Sequence, residues 1–274
     1  MKDYAVHFSH VTKKFDDAII LHDLDIHIYQ NTKLAILGHN GSGKSSLLKL
    51  IAGIYRPTSG EINTFGGKIG YVPEHFPENN RFRLGEYLLH LGMIASTDVK
   101  IVKEKIAYYS QLFQLESHME TLLKDCSKGT KQKAGIIQAL LNDCDILLLD
   151  EPLTGLDEDS KKVFLQLMNE MDRDLTIIFT AHEQETVDLL AEEVLILENG
   201  KVVKHEAITE KTRMKNITVQ LSEGELAEEV KVYGQLKHLY NSVYELIVPA
   251  RESDRCLLYL LENKCSIIEV KEKI

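Results

Sequence analysis

Gly38-His39-Asn40-Gly41-Ser42-Gly43-Lys44-Ser45 fits the pattern G-x-x-x-x-G-K-[ST] at every fixed position. Residues of these types at this spacing hold phosphate groups. The glycines let the backbone turn its N–H groups toward phosphate oxygens, and a helix starting where the loop ends adds positive potential there. Lys44 supplies a cation for the β- and γ-phosphates, and the Ser45 hydroxyl is a ligand for Mg²⁺. His39, Asn40, Gly41, Ser42 and Ser46 join Gly38 and Gly43 as the candidate nucleotide-binding set. Further on, the apolar run Ile146-Leu147-Leu148-Leu149 leads directly into Asp150-Glu151. A strand that delivers Asp150 to the mouth of a sheet sets it beside Mg²⁺, and the adjacent Glu151 is placed to polarise an attacking water.

These residues need particular elements around them. Leu34-Ala35-Ile36-Leu37 reads as a buried strand ahead of the loop, and a helix with an apolar face begins at Ser46. Leu24, Ile26 and Ile28 alternate with polar residues, and with Ala5-Val6-His7-Phe8 they predict an antiparallel β layer. Residues 61–63 and 68–72 read as short strands between turns. From 84 to about 125 the pattern becomes helical. Leu84, Tyr87, Leu88 and Leu91 share one helical face, and Ile101, Lys105, Tyr108 and Leu112 share another. Strands at 146–150 and 175–180 flank a helix at 160–171, and a hairpin turns at Asn199-Gly200. Strand–helix alternation with a helical insert is an α/β pattern.

Near residue 210 the composition shifts, and Lys211-Thr212-Arg213-Met214-Lys215 forms a polar, basic connector. Beyond it Ile217, Val219 and Leu221 alternate as a strand, and Ser222-Glu223-Gly224-Glu225 offers a capping box for a short helix. Strands at 243–248 and 267–270 and a helix at 253–262 complete a small α+β appendage. The expected domains are therefore 1–210 and 211–274.

With 274 residues, 44% hydrophobic and 27% charged, the chain has the balance of an ordinary globular protein. A net charge of −10 argues against nucleic-acid binding by general electrostatics, and no nucleic-acid partner is expected. Cys126, Cys144, Cys256 and Cys265 show neither C-x-x-C nor metal-ligand spacing and read as reduced thiols. No apolar run approaches the ~18 residues of a bilayer span, and the first residues lack the apolar core of a signal peptide.

Taken with further motifs, residues 3–206 resemble the ATP-binding subunit of an ABC (ATP-binding cassette) transporter. Thr154-Gly155-Leu156-Asp157 matches that family's D-loop, and Thr180-Ala181-His182 its switch-histidine segment. Pro57-Thr58-Ser59-Gly60-Glu61-Ile62 resembles its P-x-x-G-x-I turn. Phe15 stands where the family places an aromatic ring under adenine, although a core aromatic is the alternative on the residue alone. Cys126-Ser127-Lys128-Gly129-Thr130 departs from the usual Leu-Ser-Gly-Gly-Gln signature but keeps Ser127 and Gly129, whose hydroxyl and open backbone can grip a γ-phosphate at a helix start. In Gly70-Tyr71-Val72-Pro73-Glu74 the family's Gln is replaced by Glu74, which keeps an oxygen ligand for the metal but cannot donate an amide hydrogen bond.

The resemblance implies a P-loop NTPase cassette that binds and hydrolyses ATP with Mg²⁺. Glu151 is then the general base, His182 a γ-phosphate contact, Lys44 the phosphate cation, and Ser45, Glu74 and Asp150 the metal side of the site. It also implies a second cassette, more readily an identical copy than a paralogue, and a separate transmembrane permease at the inner face of the cell membrane. The Ser-Lys-Gly signature and Glu74 resemble small exporters. The alternative is an ATPase of the same type acting on ribosomes, DNA or protein assembly, where tandem cassettes, charged linkers or long inserts are usual and none is visible here.

Overall fold

The computed structural model describes residues 3–76, 81–95, 98–171, 174–181, 184–208, 214–221 and 229–273. The chain divides into two compact units, one of residues 1–182 with 193–205 and one of 183–192 with 206–274.

In the first unit, β1 (Tyr4–Phe15) and β2 (Ala18–Tyr29) form a long antiparallel pair, with β4 (Ser59–Asn63) on the other side of β1. Alternation decides which side faces inward. Leu21, Leu24, Ile26 and Ile28 of β2 are buried, while Asp23, Asp25 and His27 face solvent. The second sheet has the order β5-β6-β7-β3-β8-β9. It contains β3 (Lys33–Leu37), β5 (Ile69–Val72), β6 (Ile146–Leu149), β7 (Thr176–Thr180), β8 (Glu193–Glu198) and β9 (Lys201–Ala207). The pairings of β3 with β7 and β8, and of β6 with β5 and β7, are all parallel. Every residue of β6 and β7 is buried, as continuous apolar runs covered on both faces must be.

The main core joins this sheet to the antiparallel layer across α1 (Lys44–Ile51), through Leu34, Ile36, Leu47, Leu48, Leu148 and Ile178. Each such fully buried side chain contributes about 1.5–3 kcal/mol. The helix starts two residues before the predicted Ser46, because Leu47 N already donates to Gly43 O at 2.9 Å.

Two helices, α2 (Leu84–Ala95) and α3 (Val99–Leu112), follow β5. Leu84 and Leu88 are buried as their spacing predicts. The predicted face of α3 is corrected by the structure: Ile101 and Tyr108 are exposed, whereas Val102 and Ser110 are buried. Two local features set the rotation. The Asp98 carboxylate caps α3 by accepting from the Lys100 and Ile101 backbone N–H groups. Gly92 lets α2 approach so closely that a Cβ there would lie 2.4 Å from Val102 Cγ1.

The next helices are α4 (Lys128–Leu141), between the insert and β6, and α5 (Glu158–Glu170), between β6 and β7. The second unit pairs strands in the order β11-β12-β10-β13. They are β10 (Met214–Gln220), β11 (Gln235–Tyr240), β12 (Val243–Pro249) and β13 (Ser266–Lys273). Its core holds Ile217, Val219, Leu246 and Val248 against Cys256 and Leu260 of α7 (Ala250–Glu262), and α6 (Gln184–Leu190) lies beside β13. The capping box at 222–225 falls outside the described residues. Among the described residues no helix is long and apolar enough to cross a membrane.

Candidate active site

The loop from Gly38 to Gly43 joins the end of β3 to the start of α1, so its backbone must reverse within a few residues. Gly38 and Gly43 have φ of 151° and 107°. A Cβ on Gly38 would lie 2.2 Å from the Leu197 carbonyl oxygen, and one on Gly43 would lie 2.7 Å from Leu21 Cδ2. Both positions therefore need glycine for conformation and for space. Ser42 Oγ is buried with no hydrogen-bond partner among the described residues.

Lys44 is almost wholly buried at the start of α1. Its Nζ donates to the carbonyl oxygens of Gly38 (2.8 Å) and His39 (3.2 Å), using two of three donors to arch over the loop. One residue later Ser45 Oγ donates to Asp150 Oδ1 at 3.1 Å. Asp150 follows β6, is 1% exposed, and its Oδ1 also accepts from Thr180 Oγ1 at 3.0 Å. The Glu151 backbone N–H donates to that same Thr180 oxygen at 2.8 Å, and Thr154 Oγ1 donates to Glu151 Oε2 at 3.2 Å. Glu151 holds φ at 49°, a left-handed conformation that costs a non-glycine residue about 1–3 kcal/mol and that clusters at functional sites. Burial first, and then the nearby Asp150 carboxylate, raise the Tyr71 phenol far above its usual range.

A cleft of about 520 Å³ opens over this cluster, lined by Asn40, Gly41, Gly43, Lys44, Ser45, Ser46, Glu74, Glu151 and Ile20. Hydroxyl and carboxylate oxygens together with an ammonium in one cleft suit a hard divalent cation beside an anion. Ile20 escapes sequence reasoning, because nothing marks an isoleucine near a hairpin tip as a cleft wall. Phe15 lies outside the lining but is no core aromatic. It is 40% exposed, its edge meets Tyr55 at 5.1 Å between centroids, and Lys13 Nζ sits 4.6 Å from its ring centre. His182 lies outside the described residues.

Ser127 and Gly129 are not in the cleft lining. Ser127 caps α4, its Oγ accepting from Thr130 N at 3.1 Å, and the helix starts at Lys128. Gly129 packs against the loop after β6, where an added Cβ would lie 2.6 Å from Gly155 O. Gln132 Nε2 donates to Pro152 O at 3.1 Å and ties α4 to that loop a second time.

Asp157 of the D-loop segment is engaged within its own chain. It caps α5 by accepting from Ser160 N (2.8 Å) and Ser160 Oγ (2.7 Å), and it pairs with Lys133 Nζ at 3.1 Å. The Ser160 hydrogen bonds, with Lys133 after them, hold its carboxyl well below the usual carboxylate range. Because this pKa is depressed in the fold, the stabilisation is present above the unfolded value near ~3.9 and lost as pH falls through the folded one. Asp157→Ala is expected to cost about 1 kcal/mol through the lost cap. The loss should fade toward strongly acidic pH, which denaturant melts at two pH values would check.

A family model described as ABC transporter matches residues 21–154. An ABC transporter ATP-binding protein of Methanocaldococcus jannaschii is 30% identical over 220 residues, covering 80% of this chain and 84% of that protein. The Nod factor export ATP-binding protein I of a Rhizobium species is 29% identical over 213 residues, 73% of this chain and 70% of that one. Among solved structures, an ATP-binding cassette dimer in a post-hydrolysis state with ADP and Pi superposes at a TM-score of 0.65 and 23% identity. It covers 74% of this chain and 99% of the other.

Proposed function

This chain belongs to the ABC transporter ATP-binding proteins, and from that premise we propose that its ATPase activity powers export through a separate transmembrane permease. The observation that carries the reading is the cluster at the cleft, where Ser45, Asp150 and Glu151 are linked by hydrogen bonds one residue from Lys44. Lys44 and the loop amides bind the β- and γ-phosphates. Ser45, Asp150 and Glu74 would hold Mg²⁺, which when bound neutralises phosphate charge. Glu151 accepts the proton of the attacking water, and His182 contacts the γ-phosphate. Phe15, exposed beside Tyr55, supports the adenine ring. Export is supported by the Rhizobium relative, whose name gives it that direction. The permease would dock at the helical insert and the loop around Glu74.

One phosphate loop and one Ser127–Gly129 segment per chain leave each site to be completed by a second copy. Ser127 and Gly129 of that copy would close on the γ-phosphate at the start of α4. In a Glu151→Gln background, ATP is expected to convert monomer to dimer, because a ligand that gains further phosphate contacts in the paired state binds that state more tightly and stabilises it by mass action. Ser127→Arg should abolish the conversion while leaving ATP binding to the monomer intact. Light scattering with and without ATP decides it. A persistent monomer would refute pairing of identical copies, and a dimer that survives Ser127→Arg would refute the role of Ser127.

A further inference from the structure

We propose that Thr180 is a positioning residue for hydrolysis, holding the metal-side carboxylate and the base as one unit. The proposal rests on the reading of Glu151 as general base. Thr180 ends β7 and is fully buried, in register beside Ile36 of the phosphate-loop strand and one step beyond the Leu149–Phe179 pairing. That register sets its hydroxyl at the point where Asp150 and Glu151 leave β6.

A hydroxyl carries one hydrogen, so its partners fix its direction. The Glu151 backbone N–H can only donate, so Thr180 Oγ1 accepts it and passes its own hydrogen to Asp150 Oδ1. The same Oδ1 takes the Ser45 hydroxyl. One buried oxygen on β7 thereby joins the main chain of the base to the carboxylate that faces the phosphate loop. Glu151 needs such a restraint, since its left-handed backbone is one that a non-glycine residue leaves when nothing holds it. An apolar residue of the same shape would still fill the strand end but would remove the acceptor of the Glu151 N–H and release one of the two hydroxyls on Asp150.

The test measures ATP affinity and ATPase turnover of the purified chain for Thr180→Val and Thr180→Ser, each also in a Glu151→Gln background. Thr180→Val should lower turnover at least tenfold while ATP affinity stays within threefold, because the Lys44 contacts are untouched. Thr180→Ser, which keeps the hydroxyl, should restore most of the turnover. In the Glu151→Gln background Thr180→Val should cost clearly less than its tenfold, since the part of its effect that acts through the base is already lost and only the part through Asp150 remains. Turnover of Thr180→Val within twofold of the parent would overturn the proposal. So would a Thr180→Ser chain as impaired as Thr180→Val, which would mark a packing role, or a full tenfold loss persisting beside Glu151→Gln. Should Thr180→Val fail to fold, the serine variant alone decides, because the proposal requires it to be active. Separately, a Glu151→Gln chain that hydrolyses ATP at the parent rate would refute the base assignment rather than the role of Thr180.

Discussion

Lys44→Ala is expected to weaken MgATP binding by about two to four orders of magnitude. Hydrogen bonds to charged groups contribute about 1.5–3 kcal/mol each, and the ammonium is placed to make them to both the β- and γ-phosphates. About 1.4 kcal/mol corresponds to a tenfold change, so losing both contacts reaches this range. The same Nζ ties the carbonyls of Gly38 and His39 with two of its three donors, so contact with both phosphates requires one of these bonds to be exchanged when nucleotide binds. Lys44→Met, which keeps most of the buried stem, should lose as much affinity and thereby show that charge rather than packing is responsible. Calorimetric titration with MgATP reads both variants, and micromolar affinity retained in either would overturn the assignment of the loop.

Glu151→Gln is expected to keep ATP binding and lose turnover by about 10²- to 10⁴-fold, the usual contribution of a positioned general base. The amide is nearly isosteric with the carboxylate. Its carbonyl oxygen can still accept from Thr154 Oγ1, and the main-chain N–H still reaches Thr180, so the surrounding geometry survives. What disappears is the capacity to take a proton. Phosphate release under saturating MgATP separates the two effects, and a rate near that of the parent would remove Glu151 from the role of base.

The parts of this site that sequence exposes are those set by local chemistry. Gly38 to Ser45 must contain these residue types because the loop's turn and its donors lie within eight consecutive positions. Asp150 and Glu151 announce themselves because four buried apolar residues precede them. Thr180 was legible only as part of the switch-histidine segment: a threonine closing a buried strand is ordinary until its partners 29 and 30 residues away are known. Asp157 was legible as a motif residue, but its pairing with Lys133 was not, since that lysine lies on α4, 24 residues earlier. The strand β11 went unread for another reason. It lies at the sheet edge, and all but one of its residues face solvent, so no apolar alternation marks it. The rotation of α3 depended on Gly92, whose missing side chain carries no hydrophobic signal at all.

The parallel pairing of β3 governs when the nucleotide site can come into being. Neither neighbour of the phosphate-loop strand is close to it along the chain, for Leu34 pairs with Ile178 on one side and with Glu193 on the other. The β1–β2 hairpin can close as soon as it leaves the ribosome. The strand carrying the loop cannot, because roughly 140 further residues must be made first, about 7–30 s of synthesis at 5–20 residues per second. Throughout that interval an apolar strand with two open edges waits beside a loop that is already complete in sequence. Chain elongation, rather than the chemistry of the loop, therefore sets the earliest moment at which nucleotide can stabilise the fold.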